Sequence, residues 1–393
     1  MQKLDKRIFA TLFFSIFATV TGVGIVVPLL PVYANDLGAS GLYIALIFGG
    51  FSLSRTLFLP YFGRLSDKKG RRPFIVIGLF AYTIVSAAFL FSESVESLIL
   101  VRFVQGIASA MIMPVVQAYV GDITPKGREG FVMGVFNMSL FFGLSAGPLL
   151  GGFINDYFNL EMAFACMGFL ALVGFCLSFF LLPPTASEKT VRQKGAPVAW
   201  KLILADSNIA GLFLFRFTYT ACIGIIWGFL PVLAEAEFKA TSASIGMLVM
   251  LGVFVSGLLN TPLGYLADRV NKSAMVLIGG VVVCYTMFSF YSATSFDDLW
   301  YASLIFGLGG GIAMPAHMAI AIGVGNKTAA MGSVMALLTM AHSLGMMVGS
   351  LIAGIIMDLF ALRPAFLAGL IFMVVGTGLF LFFTSTGVRK QTF

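Results

Sequence analysis

The apolar positions of this chain come in long unbroken runs, with no alternation and no single apolar stripe. About twelve such runs are separated by short turns rich in Gly, Pro and charge, and each is near the roughly 20 residues a helix needs to cross a bilayer. Strands of a membrane barrel would instead show segments of about 10 residues with alternating polarity. The pattern therefore predicts an all-α membrane protein. The first run covers about residues 8–35 and the second about 43–62. A heavily charged turn, Gly63-Arg64-Leu65-Ser66-Asp67-Lys68-Lys69-Gly70-Arg71-Arg72-Pro73, leads into the third. Pro73 fits the first turn of that helix, where its missing N–H costs nothing. The fourth run covers about 98–120, a charged loop follows at 122–129, and the sixth run ends at residue 182.

The second half repeats the first. Gly224 and Asp268 lie 200 and 201 residues after Gly24 and Asp67, and Pro315 lies 201 after Pro114. Gly349, Gly354, Asp358 and Phe366 each lie 202 after Gly147, Gly152, Asp156 and Phe164. Six spans per half give both copies the same orientation, so they are parallel repeats about an axis along the membrane normal. The expected organisation is an N-terminal six-helix bundle (1–182), a polar cytoplasmic linker (183–201) and a C-terminal six-helix bundle (202–393).

Composition sharpens this picture. The chain is 59% hydrophobic and 10% charged, against roughly 25% charged in soluble proteins. Its net charge of +7 does not indicate nucleic acid, because the basic residues sit on alternate loops. Lys3, Lys6, Arg7, the charged turn, Lys126, Arg128, Lys189, Arg192, Lys194, Lys201, Arg269, Lys272, Lys327, Arg389 and Lys390 fall on one side. The other side holds Lys239 and Arg363 among many acids, including Asp36, Glu93, Asp156, Glu237, Asp297 and Asp358. Basic loops stay cytoplasmic, so both termini are expected inside, which agrees with an even number of spans. The first run is too long for the apolar region of a signal peptide and is expected to remain as a span. Cys166, Cys176, Cys222 and Cys284 all fall within spans at no metal-ligand spacing, where a thiol acts as a small hydrophobe. No metal and no cofactor are expected. The chain has no Gly-Lys-Ser/Thr phosphate cradle and no activated nucleophile, so it is not expected to be an enzyme.

The charged turn resembles, at Gly63, Leu65, Asp67, Gly70 and Arg71, the best-known signature of the major facilitator superfamily. Arg102-Phe103-Val104-Gln105-Gly106 resembles the family's helix 4 signature. Gly143, Gly147, Pro148, Gly151 and Gly152 resemble the helix 5 signature associated with proton-driven antiporters. Over essentially its whole length the chain is similar to the twelve-helix drug:proton antiporters, including tetracycline exporters. The resemblance implies a secondary active transporter of the plasma (inner) membrane that moves a small-molecule substrate by alternating access and acts as a monomer. The activity it implies is proton-coupled efflux of small amphiphilic compounds, with protons as the coupling ion. It also implies that Asp67 latches onto a helix start in the other half, where a carboxylate meets the positive end of the helix dipole, with Asp268 as its copy.

The polar residues inside the spans carry the remaining chemistry. Arg55, Arg102 and Arg216 lie within apolar runs, where insertion scales charge roughly 2.5–3.5 kcal/mol for each at the membrane centre. They are candidates for substrate contact, with a hydrogen bond to carbonyls as the structural alternative. His317 and His342 are the only histidines and titrate near neutral pH when unperturbed, which makes them candidate proton carriers beside Asp122 or a helix-end acid such as Asp36. Every Asp and Glu falls in a loop or at a helix end. This departs from the acidic cavity of many cationic-drug antiporters and opens a second expectation: an anionic or zwitterionic metabolite or lipid headgroup bound by the arginines.

Overall fold

Gly70 shows how little is needed to divide two of these helices. It has φ 91°, a left-handed conformation that an L side chain resists, and it alone separates the second helix from the third. The helix entering the charged turn therefore runs on to Lys69, seven residues past the end expected from hydropathy. Its lysines do not stop it, because they lie in the last turn, where cations favour the helix dipole.

The computed structural model describes residues 5–124, 129–183, 207–267, 269–327 and 331–390. Among these residues it is all helical. The helices are α1 (Lys6–Asp36), α2 (Gly41–Lys69), α3 (Arg71–Ala88), α4 (Val95–Ile123), α5 (Glu129–Tyr157) and α6 (Leu160–Leu181). They continue with α7 (Ser207–Phe238), α8 (Ser242–Ala267), α9 (Lys272–Ser292), α10 (Phe296–Lys327), α11 (Met331–Leu359) and α12 (Pro364–Lys390). All 12 contain a stretch long and apolar enough to cross a membrane. The polar linker lies, apart from Pro183, outside the described residues.

The repeat is visible in the packing. α1 packs on α5 and α6, and α3 on α4 and α6; α7 packs on α11 and α12, and α9 on α10 and α12. Each pairing recurs six helices later. The kinking prolines recur too: Pro31, Pro60 and Pro114 inside α1, α2 and α4 match Pro231, Pro262 and Pro315 inside α7, α8 and α10. Pro148 of α5 has no counterpart in α11.

Close contacts divide the chain into two units. Unit 1 comprises Met1–Ala39, Gly50–Val191 and Thr241–Met250, and unit 2 comprises Ser40–Gly49, Arg192–Ala240 and Leu251–Phe393. Each unit thus includes the first turns of one helix from the opposite half of the sequence, α8 in unit 1 and α2 in unit 2. Unit 1 is cored by Leu12, Ile16, Leu79, Ile112, Val116 and Phe136. In unit 2, Arg363 joins three helix ends. Its Nε and Nη2 donate to Glu237 at 2.8 and 2.5 Å, and its Nη1 donates to the carbonyls of Tyr291 and Ala293 at 3.1 and 2.6 Å. Its hydrogen bonds to Glu237 hold the pKa of the Arg363 guanidinium above the usual arginine range.

Candidate functional site

The family signatures resolve into three pieces of local physics. In unit 1, Arg71 Nε donates to Asp122 Oδ2 at 3.1 Å and Nη1 donates to Ser66 Oγ at 2.8 Å. Ser66 Oγ in turn donates to the Gly63 carbonyl at 2.8 Å. The charged turn is thereby a clamp that ties the ends of α2, α3 and α4, and Asp122 is an ionic partner of Arg71. Arg72 adds a tie to α6 through the Phe179 carbonyl at 2.8 Å. Asp67 sits one turn before Gly70 on α2, but its side chain, like the whole of Asp268, lies outside the described residues.

The second piece is the glycine signature. A Cβ added to Gly147 would lie 2.5 Å from Gly24 Cα, and one added to Gly143 would lie 3.1 Å from the Thr21 nitrogen. One added to Gly151 would meet the backbone of Ile25. These three glycines let α5 lie backbone to backbone on α1. Gly152, one residue on, instead receives the start of α8, since its Cβ would strike the backbone of Ser242 and Ala243. In unit 2, Gly345 and Gly349 meet the backbone of Phe217 and Ala221 in the same way. The seam is a property of both halves, and only Pro148 is particular to the first.

The third piece is the arginines. Gly106 admits the backbone of Phe51 and the hydroxyl of Ser54, so α2 lies close on α4 beside Arg102. The Arg102 guanidinium is 5% exposed, donates to Gln105 Oε1 at 2.7 Å and lies 4.6 Å from the Phe51 ring centre. Tyr82, from α3, is within electrostatic reach of both Arg55 and Arg102. Arg55 Nε and the Tyr82 hydroxyl are buried without a hydrogen-bond partner among the described residues. α2, α3 and α4 thus gather two guanidiniums and a phenol, and no Asp or Glu lies in the interior of those spans.

Unit 2 holds the third arginine. Arg216 of α7 donates from Nη1 to the Met314 thioether at 2.7 Å and from Nη2 to His342 Nδ1 at 3.4 Å. An arginine can only donate, so His342 accepts through Nδ1 and carries its proton on Nε2. His317 faces a carbonyl, which can only accept, so its Nε2 donates to Leu212 at 2.9 Å. Its ring is 1% exposed and stacks on Phe215 with 5.8 Å between centres. The structure brings Arg216 and His342 together and gives His317 a packed, hydrogen-bonded seat nearby on α10.

Comparison with known proteins fits these observations. The family model of the Major Facilitator Superfamily matches residues 12–233 and 212–392. The chain belongs to the Major Facilitator Superfamily. Within it, the chain is 29% identical over 379 residues to an uncharacterized MFS-type transporter of Methanocaldococcus jannaschii, covering 95% of this chain and 97% of that one. It is 32% identical over 207 residues to the quinolone resistance protein NorA of Staphylococcus aureus, an alignment spanning 51% of this chain and about half, 53%, of NorA. Among solved structures, a bacterial homolog of the human lysosomal transporter Spinster aligns with TM-score 0.85 at 12% identity, covering 98% of each chain. The human organic anion transporter MFSD10 aligns with TM-score 0.70 at 19% identity, covering 96% of this chain and 100% of that one. The shared fold is that of a superfamily transporter, and the protein is a membrane transporter, not an enzyme.

Residue types alone gave no role to Tyr82, Gln105 or Met314. Each lies in an apolar run and acquires meaning from the arginine that the fold sets against it.

Proposed function

We propose that this transporter exports small amphiphilic organic compounds that carry an anionic group, by alternating access of two six-helix halves (1–182 and 202–393). The observation that carries the reading is the set of partners around the span arginines. Arg55 has a buried Nε with no partner, and Arg216 donates to a thioether and an imidazole. A guanidinium in a membrane interior is costly, and a substrate carboxylate or phosphonate offers the bidentate acceptor that neither site contains. The partial sequence likeness to a quinolone resistance protein supports export of a drug-like molecule. The basic loops support a plasma-membrane protein with both ends of the sequence inside.

One observation supports proton coupling through His342. A proton on Nδ1 removes the acceptor that Arg216 uses and leaves two cations side by side. Binding of an anion by Arg216 and protonation of His342 are thereby linked.

The test is transport in liposomes of purified protein, using a fluorescent quinolone carboxylate and its neutral methyl ester as paired probes. Arg55→Gln and Arg216→Gln are each expected to slow carboxylate transport at least tenfold and to spare the ester. If both variants move the carboxylate at the parent rate, the anionic reading fails. Loss of the response to an imposed pH gradient in His342→Gln supports its coupling role, and an unchanged response removes it.

A further inference from the structure

Two aspartates in repeat-related positions each close the open end of a distant helix. Asp358, at the end of α11, accepts from Gly41 N on Oδ1 at 2.6 Å and from Leu42 N on Oδ2 at 2.8 Å. Asp156, at the end of α5, accepts from Ser242 N on Oδ1 at 2.9 Å and from Ala243 N on Oδ2 at 2.7 Å. Both carboxylates use both oxygens on the first two free N–H groups of a helix, the place where a negative charge is most favoured. α1, α4, α6 and α9 take their caps from the residue just before them: Asp5, Ser94, Asn159 and Asn271. α2 takes its cap from a residue 317 positions away.

The seats around these bonds are built for close approach. A Cβ on Gly354 would strike the Gly41 carbonyl, and one on Gly152 would strike the Ser242 carbonyl. Gly246 meets the Pro148 carbonyl in the same way, and Asn155 donates to Ser242 Oγ at 2.8 Å. Each clasp therefore combines a bidentate carboxylate cap with a glycine-lined backbone contact. One lies wholly in unit 1 and the other wholly in unit 2, yet each grips a helix whose remainder belongs to the other unit.

We infer that Asp156 and Asp358 are the positioning residues of a paired clasp that holds α8 and α2 at their first turns and must release for the transport cycle to proceed. The clasp involves no residue of the charged turn, and it sits at the opposite ends of the helices. It lets go without any covalent change: two N–H groups per helix exchange a carboxylate for water. Asparagine in place of aspartate keeps one acceptor oxygen and loses the charge, and alanine keeps neither. The effect should therefore be graded, with alanine shifting the closed-to-open ratio by about five- to tenfold per clasp, the change a lost helix cap of roughly 1 kcal/mol produces.

The experiment places a single cysteine at Ala45, which is 0% exposed beside Gly354, in a full-length protein with its four cysteines replaced by serine or alanine. Labelling by a membrane-impermeant maleimide in intact cells is then timed. Asp358→Asn and Asp358→Ala should raise the labelling rate in that order, while Asp297→Asn, which removes an exposed acid outside the clasps, should not. If either Asp358 variant fails to reach the membrane, the mirrored experiment with Asp156 and a cysteine at Ile245, 2% exposed, tests the same claim. Gly354→Ala keeps every charge and should also speed labelling at Ala45. Labelling at the parent rate in the Asp358 and Asp156 variants would overturn the clasp, whatever the substrate proves to be.

Discussion

A single methyl group at Gly147 tests whether the α1–α5 seam governs the stability of the first half. In Gly147→Ala the new Cβ would stand 2.5 Å from Gly24 Cα and press on the Thr21 carbonyl. Carbon atoms in contact rest at about 3.5–4.0 Å, so the two helices must part locally by about 1 Å. Neither neighbour can yield by changing rotamer, because both are backbone. Overpacking of this kind costs about 1–3 kcal/mol. At roughly 2–4 °C per kcal/mol for a unit of this size, the melting temperature should fall by about 2–12 °C. The protein supplies its own reporters in Cys166 and Cys176 on α6, which packs against α1, and in the buried Cys222 on α7. A dye that fluoresces on reacting with thiols would follow their exposure on heating in detergent. Gly349→Ala, whose Cβ would lie 2.6 Å from Ala221 Cα, should lose a similar amount through the matching seam in the second half. If Gly147→Ala melts with the parent protein while Gly349→Ala does not, the packing argument for the helix 5 signature is wrong.

The Arg71–Asp122 pair is half-buried, with side-chain exposures of 9% and 40%. Asp122→Asn should destabilise the protein by about 1–3 kcal/mol by weakening the charge-assisted hydrogen bond to the better-buried Arg71, and Arg71→Gln with Asp122→Asn together should cost less than the sum of the two, as read in a double-mutant thermal cycle. His317→Ala loses the stack on Phe215 and the hydrogen bond to the Leu212 carbonyl, which should lower stability by about 1–3 kcal/mol without moving the pH dependence of transport. A displaced pH profile would instead mark His317 as the proton carrier.

The spans and the duplication were legible because both are one-dimensional patterns. Lipid demands an unbroken apolar run for each crossing, and a duplicated bundle leaves Gly, Pro and Asp at a fixed offset. The length of α2 was less legible, since hydropathy falls at Gly63 whereas the helix is broken only where Gly70 turns left-handed. The glycines of α5 could be read as packing residues, but not their partners: Gly152 serves α8 while its neighbour Gly151 serves α1, and nothing in their spacing separates the two. Asp156 and Asp358 stood out as a repeat-related pair of acids. Their role did not, because a helix cap lent from elsewhere in the chain leaves no local signature at the helix it closes.

The membership of residues 40–49 in unit 2 has a consequence for biogenesis. When the first six spans have left the ribosome, the first N–H groups of α2 still await the carboxylate that caps them, which lies 317 positions further along the chain than Gly41. The start of α8 is in the opposite position, emerging to find Asp156 already in the membrane. The early half of the chain must therefore wait with one helix end unfinished until α11 arrives, so completion of the first half is timed by synthesis of the last quarter of the protein.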